Sequence, residues 1–201
     1  VRLGVVGGTF DPVHLGHVAA AAAAIRCARL DRVLLVPAAT PPHRDPARAS
    51  AHDRLEMCRL AVSGHPRLGV SDLELRRDGP SYTAETLAEL GRQAPGAELF
   101  LVLGWDAARE LASWHEPERV LQLATLVVVS RPGLPDPVAG ALRSARIDPA
   151  RALLCRERTP SISATEVRGR LARGEDPAPL VGAAVAGYIR EHGLYSTKAG
   201  A

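Results

Sequence analysis

The feature that most restricts the fold is a repeated alternation. Strand-like apolar runs recur at residues 1–6, 32–37, 68–72, 98–103, 125–130 and 152–155, and helical patterns fill most of the intervals. This order predicts an α/β fold, a Rossmann-like doubly wound and mostly parallel sheet with helices on both faces. In such sheets ligands bind beyond the carboxyl ends of the strands, where the strand order reverses. The 201 residues suffice for one α/β domain with a real core. We read residues 1–201 as that single domain, with a helical C-terminal part from about residue 161.

The first strand runs into Gly7-Gly8-Thr9-Phe10-Asp11-Pro12-Val13-His14-Leu15-Gly16-His17, and an alanine-rich helix is expected over 18–30. Gly7 and Gly8 lack a Cβ, so the backbone there is expected to turn sharply and approach a ligand closely. The helix start offers N–H groups and the positive end of the dipole, which favours phosphate. His14 and His17 stand at that point. The glycines do not follow the dinucleotide pattern G-x-G-x-x-G, and no Lys-Ser or Lys-Thr pair marks a Walker loop. A metal pair at His14-x-x-His17 is disfavoured, because no third ligand is placed and a helix start prefers anions.

Further along, Pro41-Pro42-His43-Arg44 reads as a proline-stiffened loop after the second strand. Ser50 is expected to cap a helix over 50–63, stopped by Gly64. After the turn Asp78-Gly79-Pro80, Ser81 or Thr83 is expected to cap a helix reaching about residue 93. The strand at 98–103 delivers Gly104-Trp105-Asp106, where Asp106 is a candidate cap for a helix at 107–112. Trp114-His115 follow, and Arg131-Pro132-Gly133 ends the fifth strand. Residues 133–148 read as a variable connection around one short helix. Ser161 or Ser163 is expected to cap a helix through residue 172, with Ser163 and Glu166 in capping-box spacing. A last helix is expected, with Pro177 and Pro179 at its start, to about residue 191, stopped by Gly193.

Composition excludes several classes. Hydrophobic residues make up 46%, too many for a disordered chain. The net charge is only +3, the basic residues are scattered, and aromatics are 3%, so no nucleic-acid face is indicated. Lys198 is the sole lysine, and an arginine-rich chain suits anionic substrates. Cys27, Cys58 and Cys155 are odd in number and show neither zinc nor disulfide spacing, so they read as buried thiols of a reducing cytoplasm. No apolar run reaches spanning length, so no membrane partner is expected. The chain opens directly in a strand, with no leader-like segment, and its lack of an initiator methionine points to processing or trimming.

The stretch from Gly7 to His17 resembles the extended T/H-x-G-H signature of the nucleotidyltransferase superfamily. Four later segments narrow the likeness to the bacterial nicotinate-mononucleotide adenylyltransferases: Pro41 to Arg44, Gly79-Pro80-Ser81-Tyr82-Thr83, Arg131-Pro132-Gly133, and Ile162-Ser163-Ala164-Thr165 with Arg168. The resemblance implies adenylyl transfer from ATP to nicotinate mononucleotide, on a Rossmann-like sheet, in NAD biosynthesis. It implies that His14, His17 and Arg168 act at the reacting phosphates. It places ATP against Gly7, Gly8, Thr9 and Phe10, the two histidines, Arg44, Gly104, Asp106, Arg131, Ile162, Ser163, Thr165 and Arg168. It places nicotinate mononucleotide against Gly8, Thr9, His43, Arg44, Ser81, Tyr82, Thr83 and Trp114. Mg2+ is expected to travel on the ATP phosphates, with no metal site of protein ligands. A homo-oligomer is left open.

Three residues depart from the family pattern. Arg44 replaces a lysine, which exchanges a point charge for a fork. Trp105 replaces a small residue, and Ala164 replaces a serine hydroxyl. Rival readings fit less well. The phosphopantetheine enzymes are shorter and lack the later motifs, and the cytidylyltransferase segment R-T-E-G-I-S-T-T is absent. A regulatory module without catalysis would not need His14, His17 and Arg168 together, and a dehydrogenase would need the dinucleotide fingerprint.

Overall fold

In the computed structural model, the residues described are 1–40, 46–130 and 139–196. Six strands form one sheet: β1 (Arg2–Gly8), β2 (Arg32–Pro37), β3 (Leu68–Val70), β4 (Glu98–Gly104), β5 (Ala124–Val129) and β6 (Ala152–Cys155). Their order is β3-β2-β1-β4-β5-β6, and every neighbouring pair is parallel. The chain winds outward from β1 through β2 and β3, then returns to the other side of β1 as β4. The order therefore reverses between β1 and β4, and a crevice opens above their carboxyl ends.

Strand side chains alternate between two cores with the period of two that a pleated strand imposes. Val6, Phe100, Val102, Val127 and Val129 face one side, with residues of α1 (Leu15–Cys27), α2 (Ala51–Val62), α7 (Ala164–Ala172), α8 (Ala178–Val181) and α9 (Ala183–Glu191). Leu3, Val5, Leu99, Leu101, Leu103, Leu126 and Val128 face the other. There they meet α3 (Thr83–Gln93), α4 (Trp105–Arg109), α5 (Pro117–Leu123) and α6 (Ala139–Ser144). Among the described residues, no helix is long and apolar enough to cross a membrane.

Several local expectations change. Gly7 and Gly8 do not turn; they are the last two residues of β1. The turn falls at Phe10, whose φ of 49° is left-handed, just before the cis Asp11–Pro12 bond. α1 begins at Leu15, not 18, because His14 takes an extended N-cap conformation. α2 ends at Val62 with Ser63 as its C-cap, and Gly64 follows at once but without the left-handed φ of a glycine stop. Neither Ser81 nor Thr83 caps α3: Tyr82 is the N-cap and its side chain makes no capping bond. Asp106 lies inside the first turn of α4, and Gly104 is the N-cap. The last expected helix is broken at Gly182, with φ 86°, into α8 and α9. α5 carries no signal that the sequence reading used.

The cysteine reading is corrected as well. Cys27, the last residue of α1, is bonded to Cys155, the last residue of β6, across a sequence separation of 128. Such a partner is invisible in local spacing. Cys58 alone matches the expected buried thiol, and burial raises its pKa above the usual thiol value.

Candidate active site

The site is built on the loop between β1 and α1, at the reversal of strand order. His14 is 4% exposed, and its ring stacks on that of His17, with centroids 3.6 Å apart and planes 20° off parallel. The backbone N–H of His14 donates to Nδ1 of His17 at 3.2 Å. In a neutral ring that bond assigns the proton to Nε2, so His17 presents a donor. Phe10 meets the His17 ring edge-on at 4.9 Å and limits its rotation. Stacked rings hold their in-plane lone pairs side by side rather than aimed at one point, which disfavours chelation.

Gly16 suits this close packing. A Cβ there would stand 3.0 Å from Nδ1 of His14 and 3.2 Å from the carbonyl oxygen of Pro160. Gly7 is different: a Cβ on it would meet nothing within 4 Å. It borders open space at the strand end. Thr9 is half-buried, and its Oγ1 is buried without a hydrogen-bond partner among the described residues.

The helix start at Ser163 closes on the same loop. Ser163 Oγ accepts the N–H of Glu166 at 3.1 Å, as expected of the cap. Arg168, one turn in, donates from Nη1 to the Asp11 carbonyl oxygen at 2.6 Å and from Nη2 to Thr165 Oγ1 at 3.2 Å. Ile162 is partly buried against the first core, which seats this turn. His14, His17, Ser163, Thr165 and Arg168 are thus brought together around one loop.

Asp11 is the hub that the sequence reading missed. Its carboxylate is buried and accepts from the backbone N–H groups of Arg48 and Ala49 at 2.8 and 3.0 Å, and from the Tyr195 hydroxyl at 2.7 Å. Burial, then the bond to Asp11, push the Tyr195 pKa well above the usual phenol value. Both oxygens of Asp11 are therefore committed to the fold. Asp106 faces Arg109 at 3.7 Å. No carboxylate cage suits a resident metal at this loop among the described residues. Among the described residues, the one cluster with metal-ligand atoms in range, Cys27, Cys155 and Glu157, includes the disulfide itself.

On the β2 side, Ser81 Oγ accepts the N–H of Ala39 at 2.9 Å, and Ser81 N–H donates to the Thr40 carbonyl at 3.0 Å. Ser81 thus ties the start of α3 to the chain leaving β2. Beneath it Glu74 is buried, and its carboxyl is raised by burial, an effect opposed by bonds to Thr86 and Ser81. Tyr82 stacks on His115 at 4.0 Å, a contact the sequence reading did not foresee. The adjacent Trp114 is half-buried and packs against the second core. Trp105 is likewise partly buried there. Gly104 and Asp106 stand at the carboxyl end of β4, across the crevice from β1. His43, Arg44 and Arg131 lie outside the described residues. A groove of about 570 Å³ along α3 is lined by Arg76, Arg77, Arg92 and Arg119, but each of these arginines is paired with an acid.

At this point a parallel sheet carries stacked histidines at the helix start beside β1 and an arginine brought back from a C-terminal helix. The family model described as cytidylyltransferase-like matches residues 5–170. A "Probable nicotinate-nucleotide adenylyltransferase" of Thermus thermophilus is 48% identical over 97% of this chain and all of its own length. One of Pseudomonas syringae is 43% identical over 96% of this chain and 93% of its own. The chain belongs to the nicotinate-nucleotide adenylyltransferase family. A solved Plasmodium falciparum nicotinic acid mononucleotide adenylyltransferase complexed with NaAD shares the fold, with TM-score 0.79 at 18% identity over 96% of this chain and 97% of that one.

Proposed function

We propose that this chain transfers the adenylyl group of ATP to nicotinate mononucleotide, giving nicotinate adenine dinucleotide and pyrophosphate in NAD biosynthesis. The observation that carries the reading is the His14–His17 stack at the start of α1, joined to Arg168 of α7 through the carbonyl of Asp11. A phosphate oxygen of the mononucleotide attacks the α-phosphorus. The bond from that phosphorus to the bridging oxygen breaks, and its electron pair leaves with pyrophosphate. The attacking phosphate has a second pKa of about 6, so it is mostly dianionic at neutral pH and needs no strong base. The demand is alignment and charge neutralisation.

His17, donating from Nε2, and His14 meet the ATP phosphates, with His17 nearest the α-phosphate in the transition state. Gly7, Gly8, Thr9 and Phe10 line the phosphate path, and the orphaned Thr9 hydroxyl gains a partner there. The turn at Ile162, Ser163 and Thr165, with Arg168 and Arg44, holds the β- and γ-phosphates. Gly104, Asp106 and Arg131 take the nucleoside side. ATP arrives as its magnesium complex, with the ion on the phosphates.

The mononucleotide occupies the β2 side, against Gly8, Thr9, His43, Arg44, Ser81, Tyr82 and Thr83. N–H groups at the α3 start face its carboxylate, and Trp114 covers the ring beside the Tyr82–His115 stack. An amide in place of the carboxylate leaves one buried donor unpaired, at about 1–3 kcal/mol. We therefore propose a preference for nicotinate over nicotinamide mononucleotide by a factor on the order of tens or more in kcat/KM on that scale. We also propose that residues 1–201 act as one nucleotidyltransferase domain, and that the enzyme works in the cytoplasm. Alkylating thiols in intact cells would report whether Cys27 and Cys155 are bonded there.

Pyrophosphate release from ATP with each mononucleotide tests the reading. Release with nicotinate mononucleotide, and weaker use of the amide, is the expected result. Equal use of the two would remove the carboxylate pocket. No release with either would remove the function. In Trp114→Ala, weaker use of nicotinate mononucleotide is expected, and unchanged use would return Trp114 to the core.

A further inference from the structure

Arg54 stands in the first turn of α2, 2% exposed, among the largest fully buried side chains of the protein. Its Nη1 donates to two carbonyl oxygens at once, those of Thr9 and Ala38, each at 2.7 Å. Thr9 belongs to the loop after β1, and Ala38 is the first residue after β2. No carboxylate lies within ion-pair distance of Arg54 among the described residues, and its Nε is buried without a partner among them. Burial lowers its pKa, an effect only opposed by the more distant Asp11 charge.

A fold that needed only filled space would place an apolar side chain here, since an unpaired buried charge is costly. What the guanidinium supplies is a fixed spacing between two loops. The neighbouring bonds extend that spacing in both directions. Ala38 N–H donates to the Gly8 carbonyl at 2.9 Å, and Ala39 N–H donates to Ser81 Oγ at 2.9 Å. One frame therefore runs from the Gly8–Thr9 loop, through Arg54, to the start of α3.

We propose that Arg54 is a positioning residue for adenylyl transfer, setting the separation between the ATP side and the mononucleotide side of the site through Thr9 and Ala38. The inference rests on the function proposed above. Arg54 touches neither substrate in this scheme. Its action is on alignment, so its loss falls on kcat and leaves the binding of each substrate nearly intact.

The test uses Arg54→Met and Arg54→Lys in the full chain, with kcat, both KM values, and amide hydrogen exchange in peptides covering residues 8–12 and 37–40. Methionine keeps the apolar stem and removes both bonds. Arg54→Met should lose about 100-fold in kcat with each KM within about threefold, the scale of a small misalignment. Both peptides should exchange faster. A lysine ammonium reaches the same carbonyls less closely, so Arg54→Lys should fall between, about tenfold below the unmodified enzyme. Unchanged kcat in a folded variant, a loss confined to one KM, a lysine variant no better than methionine, or unchanged exchange would each overturn the proposal. If Arg54→Met does not fold, Arg54→Lys decides by the same readouts. If the unmodified enzyme releases no pyrophosphate, the proposed function fails, and exchange alone decides whether Arg54 holds the two loops.

Discussion

At the scale of single residues, the site divides into side chains that meet substrate and side chains that hold those in place. His17 belongs to the first kind in our scheme. His17→Ala should lower kcat by about 100- to 1,000-fold, the loss typical of one transition-state donor, while the Kd for ATP changes far less. A change in KM alone would sink its transition-state role. Tyr195 belongs to the second kind. Its hydroxyl donates to buried Asp11, so Tyr195→Phe leaves a buried acceptor with one bond fewer and should lower unfolding stability by about 1–3 kcal/mol. The pH dependence has a definite sign. The folded-state pKa is raised above the unfolded value near 10, so this contribution is full below about pH 10 and lost as pH climbs above it. Tyr188, pushed up to about 12 by burial and then by Asp53, adds in the same direction. Urea unfolding at pH 8 and above pH 10 should therefore show a steeper alkaline loss in the unmodified chain than in Tyr195→Phe.

At the scale of elements, what was legible depended on how local the cause is. β2 and β6 stand where the apolar runs put them. Ser50 and Ser163 cap α2 and α7 because each bonds an N–H three residues on. One cap failed because its side chain is recruited by distant chain. Ser81 looks like a helix cap, but its hydroxyl serves Ala39 instead. Asp11 reads as one letter of a motif, yet its partners lie 37, 38 and 184 residues away. Resemblance named His14, His17, Ser163, Thr165 and Arg168, which the fold gathers at one loop, whereas the contacts of Arg54, His115 and Tyr195 reach across long stretches of sequence that no spacing reveals. Gly16 shows how an element and its site diverge. Alanine is about 1 kcal/mol better than glycine inside a helix, but here its Cβ presses on His14 and Pro160. Gly16→Ala should keep its melting temperature within a few degrees and still lose at least about tenfold in kcat. A parallel fall in both would mean that the helix, not the histidine, is disturbed.

At the scale of the whole molecule, the order β3-β2-β1-β4-β5-β6 places the loop after β1 beside that after β4, while α7 returns over the same end through Arg168. The Cys27–Cys155 bond ties α1 to the last strand, directly before the segment that leads to α7. Closing a loop of 128 residues restricts the unfolded chain, and Cys155→Ser or reduction should lower stability by about 2–5 kcal/mol, measured in urea with and without reductant. No effect of reductant would mean that the bond contributes nothing to the folded state.

That bond also makes the chain a ring with two tails. Any single cut between Cys27 and Cys155 opens the ring without releasing a fragment. A protease site inserted at the exposed Gly96 turn, where φ is 80°, would give a nicked protein that migrates as one band without reductant and as two bands with it. Because the two pieces never part, their reassembly after unfolding would not depend on protein concentration until the sulfurs are separated. The order of the segments along the backbone would then matter less than their membership in a single covalent circuit.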